Sequence, residues 1–93
     1  GSGITSPELL KQVKPNYTPD AMKAKIQGDV TLDAVVNPDG TVSDVRVARS
    51  LDKSGLDQQA MIAARQWLFR PGHDRNGKPV PVIITIVLEF RLR

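Results

Sequence analysis

The side chains that could carry covalent or acid–base chemistry are few and scattered along the 93-residue chain. The chain has no cysteine, and its single histidine, His73, lies in a turn-rich stretch between Gly72 and Asp74. A lone histidine in a loop is more often solvent-exposed than catalytic, and no serine is arranged to form a nucleophile–base pair with it. These residues predict neither a catalytic site nor a zinc site.

The aspartates are more numerous, but they suit strand and turn positions. Asp29, Asp33 and Asp44 fit the solvent side of predicted strands, and Asp39 fits a turn. Carboxylates that exchange protons usually share an apolar cleft, which the pattern does not predict here. The turn at Asp39-Gly40 lacks the repeated oxygen ligands of a calcium loop, and the glycines do not cluster as in a phosphate-binding loop. The sequence therefore predicts no enzyme, no cofactor and no metal site.

Composition indicates one ordinary globular domain with a mildly basic charge balance. Hydrophobic residues make up 40% of the chain, charged residues 25%, and the formal net charge is +3. Lysine and arginine are spread along the chain, which favours a solvated surface over a phosphate-binding face. No aromatic residue occupies a predicted outward strand position, where it could stack on a base. Nucleic acid is therefore not an expected partner.

The chain is predicted to contain three regions. Gly1-Ser2-Gly3 has the composition of an expression-tag remnant, so the chain is expected to be cut from something longer. Residues 4–16, interrupted by Pro7 and Pro15, are expected to be an N-terminal arm at the end of a linker, with one helical turn. Residues 17–93 are expected to form the folded domain. No apolar stretch reaches the roughly 20 residues that a membrane-spanning helix needs.

Two helices are predicted from capping signals and apolar spacing. The first begins after Thr18, a good N-cap residue, and Gly28 is its expected stop signal. The second runs from Leu56 to about Trp67, and its small residues would let it lie close to a sheet. Its apolar stripe consists of Leu56, Ala60, Ala63, Ala64 and Trp67.

Three strands are predicted from alternating apolar and polar residues. Residues 29–50 form a hairpin that turns at residues 37–40, with Val45 and Val47 facing inward and a bulge close to the turn. Residues 82–93 form the third strand, which has one fully apolar face. Residues 69–81 contain several prolines and glycines and are expected to be a long connection.

The order of these elements predicts an α+β fold. The second helix returns the chain along the sheet, so the third strand runs antiparallel to the first and the spatial order is 2-1-3. We expect a three-stranded antiparallel sheet with two helices packed on one face. The third strand is then an edge, and between Val82 and Arg93 it has no proline and only Glu89 and Arg91 as protecting charges. Such an edge is a pairing site or a dimer site, unless the N-terminal arm covers it or the terminal strand simply ends the sheet without a binding role.

The predicted site is this edge, where a partner would add one more strand. Backbone groups would supply the affinity, and the outward-facing side chains of Ile83, Thr85, Val87 and Glu89 would contact the partner. The full set of predicted partner-binding residues is Val82, Ile83, Ile84, Thr85, Ile86, Val87, Leu88, Glu89 and Phe90.

Several short motifs follow one another in a recognisable order. They are Pro15-Asn16-Tyr17-Thr18-Pro19-Asp20-Ala21-Met22 with Gly28-Asp29-Val30, Val36-Asn37-Pro38-Asp39-Gly40-Thr41-Val42, Leu56-Asp57-Gln58-Gln59-Ala60, Trp67-Leu68-Phe69-Arg70-Pro71, and Gly77-Lys78-Pro79-Val80 with Phe90-Arg91-Leu92. In this order and spacing, residues 13–93 resemble the C-terminal domain of the TonB family. The chain departs from the common pattern at Thr18, which is inserted between the usual tyrosine and proline.

The resemblance implies a periplasmic binding domain of an energy transducer. The full-length protein would be anchored in the inner membrane of a Gram-negative-type bacterium and would contact inner-membrane motor proteins through its N-terminal part. The domain would engage the Ton box, a short extended segment of outer-membrane transporters, and so couple the proton-motive force to active uptake. The alternative is a TonB-like appendage of another envelope protein, a sensor or a membrane peptidase. In that protein the edge serves homodimerisation or binding of another partner.

Overall fold

The computed structural model describes residues 3–51 and 53–92. Most of the expected tag remnant, residues 1 and 2, and the last residue of the predicted third strand, Arg93, lie outside this range. In chain order the elements are β1 (Glu8–Lys11), α1 (Pro19–Lys23), β2 (Gly28–Val36), β3 (Val42–Arg49), α2 (Leu56–Ala64), β4 (Leu68–Arg70), β5 (Gly72–His73), β6 (Pro79–Val80) and β7 (Val82–Phe90).

The central sheet has the predicted strand order, with β2 between β3 and β7 and both pairings antiparallel. β2 and β7 pair along their whole length without a register shift, from Val36 opposite Val82 to Gly28 opposite Phe90. The alternating pattern explains this regularity, because slipping by one residue would move the apolar side chains of one strand to the solvent face. The α+β class and the order 2-1-3 are confirmed.

The core lies between this sheet and the two helices. α2 contacts all three strands of the sheet, and every residue of its predicted stripe, up to Trp67, is buried. Thr18 caps α1 as predicted by accepting a hydrogen bond from the Ala21 N–H at 3.1 Å. The Thr18 hydroxyl also donates to the carbonyl of Ser54 at 2.7 Å, which joins the start of α1 to the loop before α2.

The first helix ends earlier than predicted. α1 stops at Lys23, and Lys25 takes the left-handed conformation, with φ of 56°, that the sequence suggested for Gly28. The Ile26 N–H then donates to the carbonyl of Ala21 at 3.0 Å, which closes the helix end. Gly28 instead opens β2, where a Cβ would lie 2.5 Å from Leu51 Cδ1.

The hairpin irregularity lies further from the turn than expected. Asp33 pairs with Arg46 but Val35 pairs with Ser43, so β3 carries an extra residue between them. Asp44, within this stretch, has a φ of 50°. A bulge of this kind changes which side chains face inward, and it lets β3 bury both Val42 and Val45. Val47, also predicted to face inward, is 39% exposed.

The arm and the connection before β7 form strands that the sequence did not predict. β1 pairs with β4, and β5 pairs with β6 around a turn at residues 74–78. The arm continues this pairing at its start, where the Thr5 N–H donates to the carbonyl of His73 at 2.9 Å. The expectation of a helical turn in the arm is therefore wrong. Strands of two to four residues are too short to show a periodicity in the sequence.

Candidate functional site: the outer edge of β7

The outer edge of β7 is open to another strand. In the described parts of the chain, β7 pairs with β2 only, and no strand lies against its other side. The alternative that the N-terminal arm covers this edge as a strand is wrong, because the arm pairs with β4. The end of the arm lies beside the edge at residues 87–91, where both line a groove.

The hairpin turn fixes which backbone groups of β7 point outward. The Asn37 N–H donates to the carbonyl of Thr41 at 2.8 Å, so residue 37 directs its polar groups at β3. Hydrogen bonding alternates along a strand, so the even-numbered residues of β2 and their β7 partners bond to each other. The other residues of β7 direct both their N–H and their C=O groups away from β2. These residues are Ile83, Thr85, Val87 and Glu89.

The side chains of the predicted site divide into two sets of different exposure. Ile83 and Val87, on the sheet face away from the helices, are 76% and 51% exposed. Thr85 and Glu89 are exposed on the same face. The other set faces the helices and is buried or half-buried, so its members serve the core. It comprises Val82, Ile84, Ile86, Leu88 and Phe90.

A groove of about 590 Å³ lies between the end of the arm and the C-terminal half of β7. The arm contributes Gln12, Lys14, Pro15 and Tyr17, and the strand end contributes residues 87–91. A strand added to this part of the edge would lie between β7 and the end of the arm.

The charges at this end of the edge are partly neutralised. Arg91 lies 3.6 Å from Asp29 and 3.8 Å from Glu89, measured from its Nη2 to a carboxylate oxygen of each. Further along the face, the Thr85 hydroxyl lies 3.3 Å from a carboxylate oxygen of Asp33. All these groups are exposed, so each ion pair contributes little to stability. They can still favour or disfavour a charged side chain on a partner strand.

The residues that could do chemistry remain dispersed in the structure. His73 is half-buried in β5, and the described residues include no group of three His, Cys, Asp or Glu side chains placed to hold a metal. Asp39 lies in the hairpin turn, where the Thr41 hydroxyl, followed by the Thr41 N–H, holds the pKa of its carboxyl below the ordinary value. Hydrogen bonds of this kind are typical of an aspartate in a turn.

None of the described helices combines the length and the apolar character that crossing a bilayer requires.

Sequence reasoning missed the arm side of the groove. Pro15 and Tyr17 belong to one of the short motifs of the sequence, but their position opposite β7 depends on contacts between distant parts of the chain. The signal that could have found them is the pair of prolines in the arm, Pro7 and Pro15. Such residues stiffen an extended segment, although they do not say where it lies.

These features define a small α+β domain in which the described part of β7 presents an open strand edge. A family model described as the C-terminal of the Gram-negative bacterial TonB protein matches residues 13–92. The chain belongs to this family.

Individual relatives and solved structures agree with the family. The chain is 36% identical over 78 residues to protein TonB of Xanthomonas campestris pv. campestris (strain B100), a match that covers 84% of this chain and 34% of that protein. It is 34% identical to protein TonB of Vibrio cholerae, covering 97% of this chain and 40% of the relative. The chain thus spans little more than a third of these curated relatives.

Among solved structures, the solution structure of the Pseudomonas aeruginosa TonB C-terminal domain superimposes with a TM-score of 0.73 at 26% identity, over 100% of this chain and 90% of that one. The Helicobacter pylori TonB C-terminal domain gives a TM-score of 0.59 over 85% of this chain and 70% of that chain. At 24% identity, this second similarity concerns the fold alone.

Proposed function

We propose that this domain binds the Ton box of outer-membrane transporters by accepting it as an additional strand on the outer edge of β7. The observation that carries the proposal is the row of outward-directed backbone groups at Ile83, Thr85, Val87 and Glu89. Unpaired groups of this kind are a template for another strand. The domain acts by binding alone and catalyses no reaction.

The exposed side chains support a partner that is extended and partly apolar. Ile83 and Val87 are registered opposite Val35 and Thr31 of β2, so a strand added on the other side would place side chains beside them on the same face. β-Branched or aromatic partner residues would pack best there, while Thr85 and Glu89 favour polar or basic neighbours.

The wider role follows from membership of the TonB family. The domain lies in the periplasm, and the full-length protein is anchored in the inner membrane, where its N-terminal part meets motor proteins. Through the Ton box it transmits the proton-motive force to a transporter. A chimeric TonB protein that carries this domain should restore transporter-dependent uptake to cells that lack TonB. Dissipating the proton gradient should stop that uptake, and failure of a well-expressed chimera would contradict this role.

The direct test is a titration of the isotope-labelled domain with synthetic Ton-box peptides, followed by backbone amide chemical shifts. Shift changes should concentrate on residues 82–90 and on the groove side of the arm. Thr85→Pro removes an N–H that points outward, so it should abolish these changes while the fold persists. Thr85→Val is the matched control, because it keeps the N–H and should keep binding. Undiminished binding by Thr85→Pro would disprove strand addition.

The second candidate function, homodimerisation through the same edge, is favoured by the high exposure of Ile83. In a dimer, two copies of β7 would pair and no peptide would bind. Sedimentation of the free domain separates the two functions, since a dimer that Thr85→Pro converts to a monomer would support self-pairing. The TonB-like appendage of a sensor or peptidase would then become the better interpretation.

A further inference from the structure

Trp67 makes a contact that its role in the core does not require. The indole is 7% exposed and lies against Phe69, with ring centroids 6.3 Å apart. Its Nε1–H, however, donates to the backbone carbonyl of Val13 at 2.8 Å. This hydrogen bond joins Trp67, which lies between α2 and β4, to a residue 54 positions earlier in the chain, at the base of the arm.

The other end of the same arm segment is held by Tyr17. The Tyr17 hydroxyl donates to the carbonyl of Ile26 at 2.8 Å, and its ring meets Phe90 edge-on with centroids 5.4 Å apart. Lys14 and Pro15 line the groove beside β7. They lie between Val13 and Tyr17, and each of these two residues is held by a hydrogen bond. The position of this segment sets the width of the groove.

The arm before Val13 is held by the pairing of β1 with β4 and, at its start, by the Thr5 N–H, which donates to the carbonyl of His73 at 2.9 Å. All four residues of β1 are exposed, and the pairing of β1 with β4 contains a register irregularity. Its one ion pair, Glu8 to Arg70 at 2.7 Å, is exposed on both sides, and such pairs contribute little. The indole hydrogen bond to Val13 is part-buried, so it is better shielded from competing water than the exposed ion pair.

We propose that Trp67 is a positioning residue for the partner-binding edge: its indole N–H holds the arm at Val13 so that the segment of Lys14 and Pro15 forms the second wall of the groove. This inference rests on the proposed function of the edge. If the arm leaves Val13, the wall is lost, and only the fraction of molecules with the arm seated binds at full strength. The apparent affinity then falls in proportion to that fraction.

The test compares Trp67→Phe with Phe69→Leu, using the synthetic Ton-box peptide that gives the largest shifts. Trp67→Phe keeps an aromatic ring in the core but removes the donor. It should lower the affinity for the peptide by roughly twofold to tenfold, the range that the loss of one hydrogen bond allows. It should also shift the amide resonances of residues 12–17. Phe69→Leu disturbs the neighbouring core and keeps the donor, so it should leave the affinity of the folded protein unchanged.

A measurement on the unsubstituted protein provides an independent check. If the seated arm favours binding, then binding must favour the seated arm by the same factor. Saturating peptide should therefore slow hydrogen exchange of the Trp67 indole N–H.

The outcomes separate this inference from the proposed function. Equal affinities for wild type and Trp67→Phe, equal weakening by both variants, or indole exchange that peptide leaves unchanged would each overturn the positioning role. If no Ton-box peptide binds the wild type, the proposed function fails and the positioning of that site fails with it. The arm shifts in Trp67→Phe would then still show whether the indole holds the arm.

Discussion

Replacing Gly40 with alanine tests how the hairpin is joined to the rest of the domain. Gly40 is buried at the end of the turn with a φ of 87°, and a Cβ there would lie 2.2 Å from the carbonyl oxygen of Phe69. That oxygen belongs to the backbone of β4 and cannot turn aside. In the same contact the Phe69 N–H donates to the carbonyl of Gly40 at 2.9 Å. A methyl group must therefore push the hairpin away from β4.

The expected loss has two parts. A left-handed conformation costs an alanine about 1–2 kcal/mol. Displacing β4 weakens one backbone hydrogen bond, which contributes about 0.5–1.5 kcal/mol, and disturbs the packing of Phe69. We therefore expect Gly40→Ala to lower the free energy of unfolding by about 2–4 kcal/mol.

Gly77→Ala is the matched control. Gly77 has a similar φ of 80°, but nothing lies within 4 Å of a Cβ placed there, so only the conformational cost of about 1–2 kcal/mol applies. Urea denaturation of the three proteins, with linear extrapolation to water, measures both losses. If the two substitutions lower the free energy of unfolding equally, the close contact between Gly40 and β4 adds no cost and the reasoning is wrong.

Two further predictions concern the turn and the core. The pKa of Asp39 is lowered in the folded state, so its charge stabilises the fold at neutral pH, and this contribution disappears as the pH falls through the lowered value, which lies below 3.8. The difference in unfolding free energy between wild type and Asp39→Asn should therefore shrink on acidification; a difference that grows would contradict the assignment. Trp67→Ala should cost about 3–5 kcal/mol of unfolding free energy, because a buried indole leaves a cavity. A loss below about 1 kcal/mol in the same urea assay would show that Trp67 is not a core residue.

The sequence alone determined the main sheet and the helices that cover it. Alternation along residues 29–50 and 82–90, together with the stripe from Leu56 to Trp67, specified three strands, their order and the face on which α2 packs. It also located the edge strand. These features depend on local periodicity and on chain direction, and both are properties of consecutive residues.

Tertiary structure decided what surrounds that edge. Two features join residues that are far apart in the chain: the pairing of β1 with β4 and the hydrogen bond from Trp67 to Val13. A third feature, the bulge at Asp44, departs from the regular period of a strand. No single segment encodes such contacts, because each is stabilised by a partner elsewhere in the chain. The groove beside β7 exists for this reason. Its strand side follows from a local pattern, and its arm side is positioned by an indole that the same sequence marks only as part of the core.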